Sequence, residues 1–279
     1  MIRYLCTFNC ITMVRTENNR LFFTCDSTRY VAAENVIPEH GLAYIFEGEL
    51  ETNDGVNTVI LKQGDCFFAS RNSLFRFRKL ASPEKQLKTV AIPFSQSFLQ
   101  GFYSGHPPQL SGRGPSATFR LKPNPLWTSL FSSLQPYLVM QDELPDELCL
   151  IKVHEALAIL RSLVPGIDQL LADFSMPGKI DLEEFMQKNF VFNLPLERFA
   201  YLSGRSLSSF KRDFNQIFKS TPQRWLTHKR LEQAHYLISS RETRPSEAFV
   251  EVGFENFSHF SAAFKSHYGY SPSQAGMNV

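Results

Sequence analysis

SGRSLSSFKRDFNQIFKSTP (203–222) and VGFENFSHFSAAFKSHYGYSP (252–272) decide the fold of the carboxyl-terminal third. Ser208, Phe210, Phe214 and Pro222 of the first stretch recur as Ser258, Phe260, Phe264 and Pro272 of the second, each displaced by 50 residues. Upstream the offset slips by one, so that Gly204 answers to Gly253. Self-similarity at a fixed period means one supersecondary unit used twice. Phenylalanines four apart share one face of a helix. A Gly-containing turn precedes that helix in each copy, and a hydroxyl residue with Pro follows it, as at the start of another helix. Ser206 fits the cap of the first copy, with Phe210, Phe214, Ile217 and Phe218 expected to point inwards. Between the copies, QRWLTHKRLEQAHYLIS (223–239) reads as a rigid strut roughly 25–27 Å long. Ahead of them, DLEEFMQKNF (181–190) opens with Asp181 and Glu184 at capping-box spacing and has Leu182, Phe185 and Met186 on one face. Pro195 then starts a helix that ends near Gly204.

Helix, turn, helix is the plan that lays its second helix in a DNA major groove. One such pattern is weak evidence, because many cores contain helical hairpins. Two in register on either side of a strut are stronger, since a pair ~34 Å apart meets successive major grooves on one side of B-DNA. Charge agrees. From Arg198 to Arg230 the chain carries Arg198, Arg205, Lys211, Arg212, Lys219, Arg224, Lys229 and Arg230 against Asp213, a net +7 in a protein of net +2. Such a cluster supplies salt-sensitive attraction to phosphate, although a charge run is also the ordinary solvated face of a helix. With the apolar positions inward, Ser208, Ser209, Lys211, Arg212 and Asn215 share the outward side. Short hydroxyls permit close approach, Lys and Arg reach guanine O6/N7 or phosphate, and Asn reads adenine.

The run ERFAYLSGRSLSSFKRDFNQIFKSTPQRWLTHKRLEQAHYLI (197–238), continued by VEVGFENFSHFSAAFKSHYGYSP (250–272), resembles the DNA-binding domain of AraC/XylS-type transcription regulators. The resemblance covers residues 179–275. It implies two helix-turn-helix subunits joined by a long helix, reading promoter DNA as a monomer or a dimer, usually as an activator that meets RNA polymerase. It also implies a cupin-like sensing domain and a helical dimerisation segment ahead of them. Carried over to this chain, the base-reading positions are Ser208, Ser209, Lys211 and Arg212 in the first subunit and Phe257, Ser258, Ser261 and Ala262 in the second. Two departures stand out. Ala248-Phe249 replaces the usual large-then-Ala pair that Phe199-Ala200 keeps, and Ala262 occupies a position where a basic residue is common.

The front of the chain has another character. LAYIFEGEL (42–50), NTVILKQGDCFFAS (57–70) and LFRFRKL (74–80) show strand-like alternation, with turns at Asn53-Asp54-Gly55 and Gly64-Asp65. SGHPPQLSGRGPS (104–116) reads as a loop. Residues 124–174 turn helical. In DELCLIKVHEALAILRSLV, Leu150, Val153, Leu157 and Leu160 fall at helical spacing, with Ile151 and Ala158 widening the stripe and Leu163 and Val164 beyond it. Met176-Pro177-Gly178 breaks the chain. The expected architecture is α+β in two domains. Residues 1–123 form a small antiparallel β-barrel or sandwich and 124–176 a helical segment whose apolar stripe suits a homodimer. Residues 177–279 form an all-α double helix-turn-helix domain.

Composition closes off several alternatives. With 43% hydrophobic residues among 279, a sizeable core forms and wholesale disorder is excluded. No apolar run approaches the ~18–20 residues of a membrane helix, so no membrane partner is expected. The opening MIRYLCTFNCITMVRTENN lacks the pattern of a signal peptide, and five scattered cysteines suit a reducing cytoplasm. Cys6 and Cys10 lack a second ligand pair, and His40, His106 and His154 form no His-x-His, so no metal or other cofactor is expected. Glu47 and Glu49 flank Gly48 and would share a strand face as an acid/base pair, but a solvated pair beside a turn is the plainer reading. No serine nucleophile elbow or phosphate-cradling Gly loop is present, and catalysis is not expected. Three classes remain. The first is a regulator controlled through its front domain by a small ligand or protein. The second is a regulator whose front domain only dimerises or docks a protein. The third is a cupin-type enzyme fused to its own regulator. Phe46, Phe67, Phe68, Phe75 and Phe77 alternate faces and could line a ligand cavity or fill a core.

Overall fold

The computed structural model describes the chain apart from residues 1–10, 15–20, 27–31, 56, 81–85, 111–113, 116–117, 141–144, 241–242 and 276–279, with backbone alone at 11–14, 21–26, 32–35 and 138–140. The pair Cys6 and Cys10 lies outside the described residues. The chain divides into two compact units, Met1–Phe174 and Ser175–Val279.

The strands of the first unit are β1 Ile11–Val14, β2 Leu21–Asp26, β3 Ala32–Val36, β4 His40–Glu47, β5 Glu49–Asn53, β6 Thr58–Lys62, β7 Cys66–Ala69, β8 Leu74–Lys79, β9 Leu87–Phe94 and β10 Thr118–Arg120. Its helices are α1 Gln96–Gly105, α2 Pro125–Ser132, α3 Gln135–Met140, α4 Asp146–Leu163 and α5 Asp168–Leu171. All strand pairs are antiparallel. They form a six-stranded sheet in the order β1-β2-β9-β4-β7-β10 and a four-stranded sheet in the order β3-β8-β5-β6. Side-chain alternation explains the layering. Leu42, Phe46, Cys66, Phe68, Val90, Ile92 and Phe94 of the larger sheet face Trp127, Leu130, Phe131, Val153, Leu157 and Leu160 of the helices. Ile45, Phe67 and Leu87, from its other face, pack with Leu61 and Phe75 of the smaller sheet. The aromatic residues considered for a cavity lining are therefore packed into these two cores, with Phe77 at the margin of the second.

The break at Gly48 splits 42–50 into β4 and β5, which belong to different sheets. Glu47 and Glu49 thus do not share a strand face. Glu47 pairs with Lys88 at 2.7 Å and Glu49 with Lys62 at 3.5 Å. The Asn53-Asp54-Gly55 turn forms with local side-chain acceptors: Asn53 Oδ1 takes the Gly55 N–H at 2.7 Å and Asp54 Oδ1 the Asn57 N–H at 2.6 Å. Helix α1 has no counterpart in the sequence reading. Ser95 caps it, accepting from the Phe98 N–H at 3.1 Å, and Leu99 anchors it in the core.

Helix α4 forms where the apolar spacing places it, but its inward face is rotated. Cys149, Val153, Ala156, Leu157, Ile159 and Leu160 are buried, whereas Leu150 and Ile151 are 37% and 57% exposed and Ala158 is exposed. The stripe expected at a dimer surface is, at Val153, Leu157 and Leu160, the core of this unit. Asp168 locks α5 to its surroundings. Its carboxylate accepts two bonds from Arg161 at 2.8 and 2.9 Å, one from the Tyr103 hydroxyl and one from the Gln109 N–H.

The second unit is helical throughout its described residues: α6 Leu182–Asn189, α7 Leu196–Leu202, α8 Leu207–Phe218, α9 Pro222–Ser240, α10 Pro245–Glu251, α11 Phe257–Tyr268 and α12 Pro272–Ala275. The Asp181 carboxylate caps α6 by accepting the Glu184 N–H at 2.7 Å. Two cores lie along α9. Leu182, Met186, Phe199, Ala200, Phe210 and Phe214 pack on its Trp225 and Leu226. Ala248, Val252, Phe260, Phe264 and Ala275 pack on its Leu231, Ala234, Leu237 and Ile238. The strut is shared between the two subunits rather than spanning empty space.

Candidate nucleic-acid interface

The repeat seen in the sequence is a repeat in space. Helices α8 and α11 begin, end and bury their side chains 50 residues apart. Phe210, Phe214, Phe260 and Phe264 are all fully buried. Ser206 Oγ accepts the Ser209 N–H at 3.3 Å at the start of α8, and Asn256 Oδ1 accepts the Ser258 and His259 N–H groups at 2.8 and 3.1 Å at the start of α11. Each helix closes on a left-handed residue, Lys219 at φ 51° and Gly269 at φ 84°. Each turn before the helix holds a left-handed glycine, Gly204 at φ 69° and Gly253 at φ 87°. A Cβ at either would strike a backbone carbonyl oxygen, that of Gly178 or of Val191. Glycine is required twice over, by its φ and by the close approach.

On α8, Ser208, Lys211, Arg212 and Asn215 are exposed and Ser209 is half-buried, on the side away from Phe210 and Phe214. Ile217 does not turn inwards: it is 42% exposed, and Phe218 alone completes that end of the core. On α11, Phe257, Ser258 and Ala262 are exposed and Ser261 is half-buried. Phe257 lies edge-on to Phe249 with ring centroids 5.5 Å apart. The exchanged pair thus has a physical outcome. Ala248 is buried where its counterpart Phe199 is buried, and the half-buried Phe249 packs against Phe257 and Phe260 of α11. His259 is exposed, close to the Phe254 ring.

The +7 run divides once partners are known. The Arg205 side chain is only 7% exposed and binds Asp213 at 3.2 Å, the Ile180 carbonyl at 3.0 Å and the Ser203 carbonyl at 2.7 Å. The Arg230 guanidinium donates to the carbonyls of Phe190, Phe192 and Gly253 at 2.8, 2.8 and 3.1 Å. The guanidinium groups of these two cations are engaged by acceptors of the fold itself. Arg198 lies 5.0 Å over the Tyr201 ring, and Lys229 pairs with Glu232 at 2.9 Å. Lys211, Arg212, Lys219 and Arg224 are exposed. Asp213 collects Arg205, Lys179 and Arg212, which hold its carboxyl below the usual carboxylate range, Arg205 most of all. Lys179, a partner from outside the counted run, escaped the sequence reading because it lies 34 residues from Asp213.

In the front unit, His40 is committed to the fold. Its Nδ1 accepts the Arg71 N–H at 3.1 Å, its ring stacks on Phe68, and burial, reinforced by Arg71, lowers its pKa to about 4. Among the described residues no group of three or more His, Cys, Asp or Glu is placed to hold a metal ion, and no helix is long and apolar enough to cross a membrane.

Known proteins match both units. The helix-turn-helix domain family matches residues 200–276, and the ExsA N-terminal regulatory domain family matches residues 40–164. The HTH-type transcriptional regulator ExsA of Pseudomonas aeruginosa is 26% identical over 244 residues, covering 85% of this chain and 86% of that protein. The virulence regulon transcriptional activator VirF of Yersinia enterocolitica is 25% identical over 250 residues, covering 85% of this chain and 89% of that protein. Among solved structures, apo ToxT from Vibrio cholerae aligns with 94% of this chain and 99% of that one, at 13% identity and a TM-score of 0.44. The doubled helix-turn-helix, the strut between its halves and the two family matches, over residues 40–164 and 200–276, together identify the chain as an AraC/XylS-type DNA-binding transcription regulator.

Proposed function

We propose that the chain is a promoter-binding activator in which α8 supplies most of the affinity and base choice while α11 fixes position. The observation that carries this reading is the inequality of two helices of equal length and like burial. Ser208, Ser209, Lys211, Arg212 and Asn215 offer hydroxyls, an amide and two cations. Phe257, Ser258, Ser261 and Ala262 offer thymine-methyl contacts and single hydrogen bonds, with no bidentate guanine donor among them. The segment Ser246–Val279 carries Lys265 against Glu247, Glu251 and Glu255, so it adds no phosphate attraction of its own. Activation follows the similarity to VirF, a transcriptional activator, and RNA polymerase as the partner follows the family resemblance. A duplex selected by the full chain from random DNA, scanned base by base, tests the reading. Stricter base choice under α8 supports it, and equal information under both helices refutes it.

Control enters through the front unit, by a small ligand or a protein. The reading without a small ligand gains from the packing: Phe46, Phe67, Phe68 and Phe75 are each at most 8% exposed, so these four side chains are core. A homodimer through 124–174 would use the outer side of α4, where Leu148, Leu150 and Ile151 are exposed. Sedimentation of the full chain with and without its DNA tests this assembly.

A further inference from the structure

We infer that Arg230 is a positioning residue that sets the spacing between the two DNA segments the protein accepts. This inference rests on the proposed reading of DNA by α8 and α11 and adds to it the part that fixes their separation. Arg230 sits at the middle of α9, whose first half packs in one subunit and whose second half packs in the other. Its planar fork is divided between them. Nε and one terminal nitrogen bind the Phe190 and Phe192 carbonyls, in the connection from α6 to α7 of the first subunit. The other terminal nitrogen binds the carbonyl of Gly253, in the turn that aims α11.

The seam it fastens is tight. Gly253 approaches Val191 so closely that a Cβ there would overlap the Val191 carbonyl oxygen and lie 3.3 Å from the Arg230 guanidinium carbon. A second bond crosses the same seam, from Asn193 Nδ2 to Glu255 Oε1 at 2.6 Å. Three carbonyls, each met by a different nitrogen, suit a guanidinium with five N–H donors in a fixed fork and do not suit the point charge of a lysine. The consequence is geometric. Inserting one base pair between half-sites displaces the second groove by ~3.4 Å and turns it by ~34°. A subunit pinned at its turn and at the middle of its strut cannot follow.

The test uses the full chain and a duplex selected by the wild type from random DNA, remade with one base pair added or removed between the two contacted segments. The wild type is expected to lose about tenfold or more in affinity at either altered spacing, the scale of a lost base contact. Arg230→Lys should keep its affinity for the parent duplex within about threefold of wild type and lose much less across the spacing series. Its salt dependence should be unchanged, because the group it removes does not meet a phosphate. Arg230→Lys with the wild-type spacing profile, or with a salt slope reduced by about one phosphate, overturns the inference. If Arg230→Lys unfolds the unit by circular dichroism, Asn193→Ala decides in its place. A relaxed profile supports the clasp, and a wild-type profile overturns it. A wild type that selects no paired site overturns the DNA reading itself and takes the clasp with it, whereas an unchanged profile overturns the clasp alone.

Discussion

Arg205 and Lys211 are six residues apart and carry the same charge, yet their alanine variants should fail in opposite ways. The Arg205 side chain is 7% exposed and makes three hydrogen bonds, one to Asp213 and two to backbone carbonyls. Bonds of this kind are worth ~1.5–3 kcal/mol each where a charge takes part, and they do not add. Arg205→Ala should therefore destabilise the second unit by roughly 2–4 kcal/mol, about 8–30 °C in midpoint for a unit of this size. Its salt slope for DNA should not change. Lys211 is exposed on the outward side of α8. Lys211→Ala should leave the midpoint within ~0.5 kcal/mol of wild type and reduce the slope of log K against log salt by ~0.9. The chain has two tryptophans, one in each unit, so Trp225 fluorescence in a Trp127→Phe background reports unfolding of the second unit. Fluorescence anisotropy at several salt concentrations gives the slope. An Arg205→Ala protein that melts like wild type and loses a phosphate's worth of slope would refute the division of cations argued from the structure.

Other outcomes follow from the same geometry. Arg212→Ala should weaken binding by roughly 1–3 kcal/mol and relax one or two base positions, whereas Ser261→Ala should lose at most one neutral bond, ~0.5–1.5 kcal/mol; a larger loss from Ser261→Ala in a site scan contradicts the ranking of the helices. Ala262→Arg should tighten binding and steepen its salt dependence by about one phosphate, read by the same titration. Leu157→Asp should unfold the first unit, since Leu157 is fully buried, while Ile151→Asp should leave it folded and shift sedimentation towards monomer. His40 is neutral in the fold with a pKa of about 4 and takes up its proton near 6.5 when unfolded. The unfolded chain then binds more protons between those values, so stability falls as pH drops from about 6.5 towards 4, by about 3 kcal/mol in all, and a His40 ring that titrates above pH 6 by NMR excludes this.

The second unit was legible because its signals are local and doubled. Caps at Asp181 and Ser206, the glycines at 204 and 253 and phenylalanines four apart each specify backbone within a few residues, and the second copy checks the first. Ile217 misled because an apolar residue at helical spacing reads as core, although Phe218 beside it fills that place. In α4 the apolar residues run nearly all round the helix. Hydropathy alone could not decide whether Leu150 and Ile151 or the smaller Cys149 and Ala156 lay inward, and only the larger sheet settles it. Helix α1 was hidden by the loop-like run that follows it, although Ser95 and Phe98, Leu99 and Phe102 already carry a cap and an apolar face. The roles of Arg205 and Arg230 were beyond reach for a different reason. Both bind backbone carbonyls, 25 residues away at Ile180 and 40 away at Phe190, and a carbonyl leaves no trace in sequence.

The same partners explain how two copies of one motif came to differ without losing their shape. At the corresponding places where the first subunit joins Arg205 to Asp213, the second has Phe254 and Ala263, both packed on its apolar core. An ion pair with several hydrogen bonds and an apolar contact can fill one site at similar stability. They leave different surfaces behind. In the first subunit, Asp213 also draws on Arg212 and Lys179, so the recognition helix is bordered by cations that the fold itself holds in place. In the second, neutral packing leaves the proposed DNA-facing residues Ser258, Ser261 and Ala262 without any such anchored cations beneath them. The proposed asymmetry of DNA reading thus begins in the support beneath each helix as well as in the residues that face outwards. Restoring a basic residue at Ala262 alone supplies attraction without the anchored carboxylate that braces Arg212, so such a variant should gain affinity for DNA of any sequence more than it gains base choice.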